Sequence, residues 1–117
     1  MSEEIIDLKE VLERVQDDKE LLNELFDIYM EDFVIKRQAL GEAIAAHDIA
    51  KVKEVAHSMK GASGNISAKS LHAACLQLES LAKEGKTDGM QEVTVSIDGY
   101  FEKIKVFAAN FKKDLGL

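Results

Sequence analysis

Apolar side chains recur at three- and four-residue intervals along almost the whole of this chain, and no proline interrupts them. An α-helix turns once in about 3.6 residues, so that spacing gathers the apolar positions on one face. Strands would need alternation instead. Five helical segments are predicted. A short one over about 7–15 carries Leu8, Val11, Leu12 and Val15. A long one begins with Asp17 or Asp18 as N-cap and turns Leu22, Leu25, Phe26, Tyr29, Phe33, Leu40 and Ile44 inward until about Ala46. Asp48 caps the third, whose stripe is Ile49, Val52, Val55, Ala56 and Met59, and Gly64-Asn65 with Ser67 mark its end and the next start. The fourth, from about Ser67 to Lys83, is expected to bury Leu71, Ala74, Cys75, Leu78 and Leu81 before Gly85 stops it.

The last segment has two readings. Val93, Val95 and Ile97 alternate ahead of Asp98-Gly99, which is a hairpin signal. A helical stripe runs through the same residues as Val93, Ile97, Tyr100, Phe101, Ile104, Phe107, Ala108 and Phe111, without losing phase. The helix is favoured, at a cost of about 1 kcal/mol for Gly99 relative to alanine. Apolar-striped helices with short connections pack antiparallel. The fold expected is all-α: one domain over residues 1–117, an antiparallel four-helix bundle with a short N-terminal capping helix.

At 117 residues the chain can bury one modest core. No apolar run approaches the ~20 residues of a membrane span, and no basic-then-apolar leader opens the chain. The single cysteine, Cys75, has no partner for an internal disulfide, which fits a cytoplasmic location. The net charge of −7 argues against nucleic acid as a partner. Residues 1–32 hold 12 acidic and 3 basic side chains, and residues 33–117 hold 10 and 12. The acidic excess at the N-terminal end reads as a solvated face. Lysines at 51, 53, 60, 69 and 83 leave the middle of the chain near neutral.

The run Ala56-His57-Ser58-Met59-Lys60-Gly61-Ala62-Ser63-Gly64-Asn65 carries the chemistry. With His57 at zero on a helical wheel, Gly61 falls at about 40°, Gly64 at about 340° and Lys60 at about 300°. Val52, Val55 and Met59 fall at about 220°, 160° and 200°, so the imidazole is expected to point away from the core. A lone histidine is ordinarily a plain surface residue. Two glycines on its own face, in the interior of a helix, need a further reason. Removing side chains beside an exposed nucleophile lets another protein's active site reach it. Lys60, one turn on, can neutralise an incoming phosphoryl group as a compact charge. A neutral imidazole attacks phosphorus well when its other nitrogen is held as a donor. Glu79, at the edge of the fourth helix's stripe, is a candidate to hold it.

The run from His57 to Ile66, followed by Leu71, Cys75 and Leu78-Glu79, resembles a histidine-containing phosphotransfer (HPt) domain of two-component phosphorelays. The resemblance covers nearly the whole chain, including Leu21-Leu22 and the Asp48 start of the histidine helix. It implies that His57 accepts a phosphoryl group on Nε2 from a receiver-domain aspartyl phosphate, or from a kinase such as a hybrid sensor histidine kinase, and passes it to another receiver aspartate. Lys60 would lie against the phosphoryl oxygens and Glu79 would orient the imidazole. Gly61, Gly64, Lys53 and Lys83 would serve docking, Lys83 falling where some members carry a second basic residue. Met59 stands where leucine is commoner, and Ser67 where the family often has glycine. The resemblance implies no metal or cofactor of the chain's own, Mg²⁺ on the receiver, and a monomer that is a phosphotransfer intermediate rather than an autonomous enzyme.

Two other readings compete. His72-x-x-Cys75, with His57 joining from the neighbouring helix, has metal-ligand spacing, although Cys75 belongs to the apolar stripe and no fourth ligand is evident. A non-catalytic helical adaptor binding signalling partners would explain the bundle but not the bare histidine. Ser-His-Asp arrangements, P-loops and paired carboxylates are absent from the sequence, which disfavours a small-molecule hydrolase or transferase.

Overall fold

A computed structural model describes residues 4–117. Five helices follow in order: α1 (Leu8–Arg14), α2 (Lys19–Ala45), α3 (Ile49–Asn65), α4 (Lys69–Lys83) and α5 (Met90–Asp114), with no strand among the described residues. The last four form an antiparallel ring in which each helix packs on its chain neighbours and α5 closes onto α2. The bundle is 45 Å long, close to the ~40 Å that the 27 residues of α2 span at 1.5 Å each.

Asp18 and Asp48 cap their helices as the sequence suggests, and Asp7 does the same for α1. Asp7, Asp18 and Asp48 accept from the backbone N–H of Glu10, Leu21 and Lys51, capping α1, α2 and α3. The stripes bury Leu22, Phe26 and Leu40 from α2, Val52, Ala56 and Met59 from α3, Leu71, Cys75 and Leu78 from α4, and Ile97 and Ile104 from α5. Leu25, Ile44 and Leu81, expected inside, are only half-buried. In α4 the position beside Leu81 is taken inward by Ala82, while Leu81 lies over the turn at Gly89. The hairpin alternative fails: α5 runs unbroken through Gly99, whose missing side chain faces open space.

One turn departs from the sequence reading. Ser67 does not cap α4. It adopts φ 58° and ends α3, with its own N–H on the carbonyl of Gly64 and the N–H of Ala68 on that of Ser63. Its hydroxyl donates to Glu10 of α1 at 2.8 Å. His47 ends α2 in the same way, at φ 55°. α1 then closes one end of the bundle. Ile6 and Val11 are buried there, the N–H of Asp7 donates to the carbonyl of Ser67, Arg14 donates to that of Gly64, and Lys69 pairs with Asp7 and Glu10.

Candidate functional site

The α3/α4 seam is the most intimate helix contact in the molecule. Small residues let the two backbones approach: Ala56, Ala68, Ala74 and Cys75 are all buried. Ser63 is buried too, donating to the carbonyl of Met59 at 2.8 Å. With that hydrogen committed, the Tyr29 hydroxyl donates to Ser63 Oγ at 2.9 Å. Desolvation accordingly raises the Tyr29 phenol above its ordinary value.

On the outer side of this seam His57 stands with 68% of its side chain exposed. Its Nδ1 lies 2.7 Å from Glu79 Oε2. A carboxylate can only accept, so Nδ1 carries a hydrogen, and in the neutral ring Nε2 therefore keeps its lone pair. The other oxygen of Glu79 accepts from Lys60 Nζ at 2.6 Å. Glu79 and Lys60 are much less exposed than the ring, at 14% and 21%. The Lys60 ammonium, followed by the His57 bond, holds the Glu79 carboxyl below its ordinary pKa, against a desolvation that would raise it. One carboxylate thus orients the imidazole and tethers the cation beside it.

The other candidate residues are placed unevenly. Lys53 is exposed and lines, with Ala50, Glu54, His57 and Glu79, an open depression of about 510 Å³ beside the ring. Lys83, exposed in the last turn of α4, is not among the residues that line it. Gly61 is exposed, and a Cβ there would meet nothing within 4 Å. Gly64 differs. A Cβ there would come within 3.2 Å of His72 Nδ1, so this glycine has a packing reason that the wheel did not show.

His72 is a half-buried residue of α4, and its partner had no signal in the sequence. Its Nδ1 lies 2.9 Å from the carbonyl of Lys60, which joins α4 to α3 rather than a metal. Cys75, the other half of the supposed metal motif, is wholly buried, and desolvation pushes its thiol up to about 12. No group of three or more His, Cys, Asp or Glu side chains among the described residues is arranged to hold a metal ion. Among the described residues, too, no helix is long and apolar enough to cross a membrane.

The protein-family comparison decides the class. The Hpt domain model matches residues 3–105. The chain belongs to the Hpt family. Its function is that of Hpt domains, histidine phosphotransfer within phosphorelays, where they interact with receiver domains and kinases. The fold agrees with that of a solved Hpt protein, histidine-containing phosphotransfer protein B (HptB) from Pseudomonas aeruginosa PAO1, at a TM-score of 0.88 and 24% identity over 97% of this chain and 98% of that one. No curated protein matches the sequence.

Proposed function

We propose that His57 is the phosphoacceptor of this Hpt domain, taking a phosphoryl group on Nε2 from a receiver aspartyl phosphate, or from a kinase, and giving it to another receiver aspartate. The observation that carries this is the 2.7 Å contact between Nδ1 and Glu79 on an otherwise exposed ring. It supports a single tautomer, with the nucleophilic nitrogen outermost.

As the Nε2–P bond forms, the P–O bond to the donor aspartate breaks and its electron pair returns to that carboxylate. The ring gains positive charge, and the Glu79 carboxylate against Nδ1 offsets it. Lys60 supplies the cation for the phosphoryl oxygens, rotating from Glu79 to reach them. Lys53, at the rim of the depression beside the ring, meets the acidic receiver surface, and Lys83 adds a more distant charge. Gly61 leaves room for the receiver backbone to close in. Mg²⁺ and the acidic pocket belong to the receiver, and the domain brings no cofactor of its own. It works as a cytoplasmic monomer.

The test is incubation with a panel of phosphorylated receivers. The wild-type protein takes up acid-labile, base-stable phosphate from at least one of them. His57→Gln takes up none, while its helical circular dichroism and melting are unchanged. Labelling of His57→Gln at the wild-type rate would sink the assignment.

A further inference from the structure

We infer that His72 is a positioning residue for the phosphoacceptor, and that position 64 is glycine because the His72 ring lies over it. The inference rests on the reading of His57 given above and extends it to a second histidine, on α4.

His72 and Glu79 are seven residues apart on α4, about two helical turns, and so share one face. Both grip the same residue of α3. His72 Nδ1 meets the backbone carbonyl of Lys60 at 2.9 Å, and Glu79 Oε1 meets its ammonium at 2.6 Å. A carbonyl cannot donate, so His72 Nδ1 bears the hydrogen. Lys60 is held at its backbone and at its tip by one helix face. The remaining oxygen of Glu79 then reaches His57. The two-point grip sets the register of α4 against α3, and with it the place of the carboxylate that selects the His57 tautomer.

Gly64 belongs to the same device. His72 is half-buried, and its ring lies where a side chain at 64 would begin: a Cβ there would be 3.2 Å from Nδ1 and 3.6 Å from Cε1. An alanine would press the ring away from the Lys60 carbonyl. Gly64 and Gly61 therefore serve different purposes, since a Cβ at 61 meets nothing.

The experiment compares wild type with H72A, H72N, G64A and the G64A/H72A double variant. Two quantities are read: the ¹⁵N shifts of the His57 ring, which report its tautomer, and the transfer rate from a phosphorylated receiver, resolved into kcat and KM. H72A is expected to mix the His57 tautomers and lower kcat about tenfold with little change in KM, because a small misplacement of a reacting group is costly. Asparagine carries an N–H where histidine carries Nδ1–H, so H72N restores both readouts. G64A reproduces part of the H72A loss. The double variant is no worse than H72A alone, because the clash needs the ring. A wild-type His57 tautomer and kcat in H72A would overturn the inference, as would equal impairment by G64A with and without His72. The ring shifts need no phosphate, so a wild-type chain that accepted none would defeat the phosphoacceptor reading while the positioning claim was still judged.

Discussion

The α3/α4 and α2/α5 seams each carry a charge pair, and they use it in opposite ways. On α2/α5 both oxygens of Asp98 go to one partner, Arg37, at 2.7 and 3.1 Å. On α3/α4 the two oxygens of Glu79 are divided between Lys60 and His57. The first pair is closed. The second leaves a cation and an imidazole responding to one carboxylate. Their surroundings differ to match. The α2/α5 side is aromatic, with Phe33 stacked on Phe101 at 3.8 Å and Phe26 edge-on to Phe107 and Phe111. On the α3/α4 side neither helix carries a phenylalanine or tyrosine; Ala56, Ser63, Ala74 and Cys75 pack among aliphatic side chains, and an open depression lies beside His57. The aromatic packing lies on one side and the candidate phosphoacceptor on the other, so damage to each should be separable.

The widest separation is expected at Phe101. It is buried and touches both Phe33 and Tyr29. Phe101→Ala should remove about 3–5 kcal/mol of stability, read by urea unfolding. The molecules that remain folded should still pass phosphate at the wild-type rate. A matching fall in that rate would show that the two seams are coupled.

Lys60→Ala inverts the pattern. Losing its pair with Glu79, which is only 14–21% exposed, should cost about 1 kcal/mol of stability, far less than Phe101→Ala, yet transfer should slow, or the phosphorylated form decay faster, by about tenfold, or 1.4 kcal/mol. Acid should act on the same carboxylate. The folded-state pKa of Glu79 is lowered, first by Lys60 and then by His57. Its stabilising effect is therefore complete above the usual carboxylate value near 4.3 and fades as pH falls through the lower folded value. The difference in urea midpoint between wild type and Glu79→Gln should shrink in that acid range.

Gly61 sharpens the comparison at a smaller scale. Nothing lies within 4 Å of a Cβ there. Gly61→Ala should stabilise the free protein by about 1 kcal/mol through helix propensity. Gly61→Leu should fold as well yet slow transfer from a receiver. Wild-type transfer with leucine at 61 would remove the argument that this glycine clears a path for docking.

How much of this was legible in the chain depends on how local the cause is. The helices were, because periodicity and the caps Asp18 and Asp48 act within one turn of sequence. His57 and Lys60 were legible as neighbours on one helix, and Glu79 as a polar residue at the edge of a buried stripe. Ser67 was not, because a serine before a helix can cap it or end the previous one at positive φ, and local sequence favours the former. Gly64 was misread for a different reason. A wheel orders residues around one axis, but the ring that covers Gly64 comes from α4. His72 had no signal for its partner: three residues before a cysteine it resembles a ligand, and only the packed neighbour shows that its Nδ1 is committed to a carbonyl.

Arg37 and Asp98, 61 residues apart, had no sequence signal at all, and they supply the smallest test. Their side chains are 29% and 47% exposed, so solvent screens the pair despite its two-pronged geometry. Arg37→Ala should cost about 0.5 kcal/mol, seen as a small shift in the urea midpoint, and leave phosphate transfer unchanged. The same truncation on the other seam, at Lys60, should slow transfer. If Arg37→Ala slowed transfer as Lys60→Ala does, dividing a carboxylate between two partners would not be what sets the reactive seam apart.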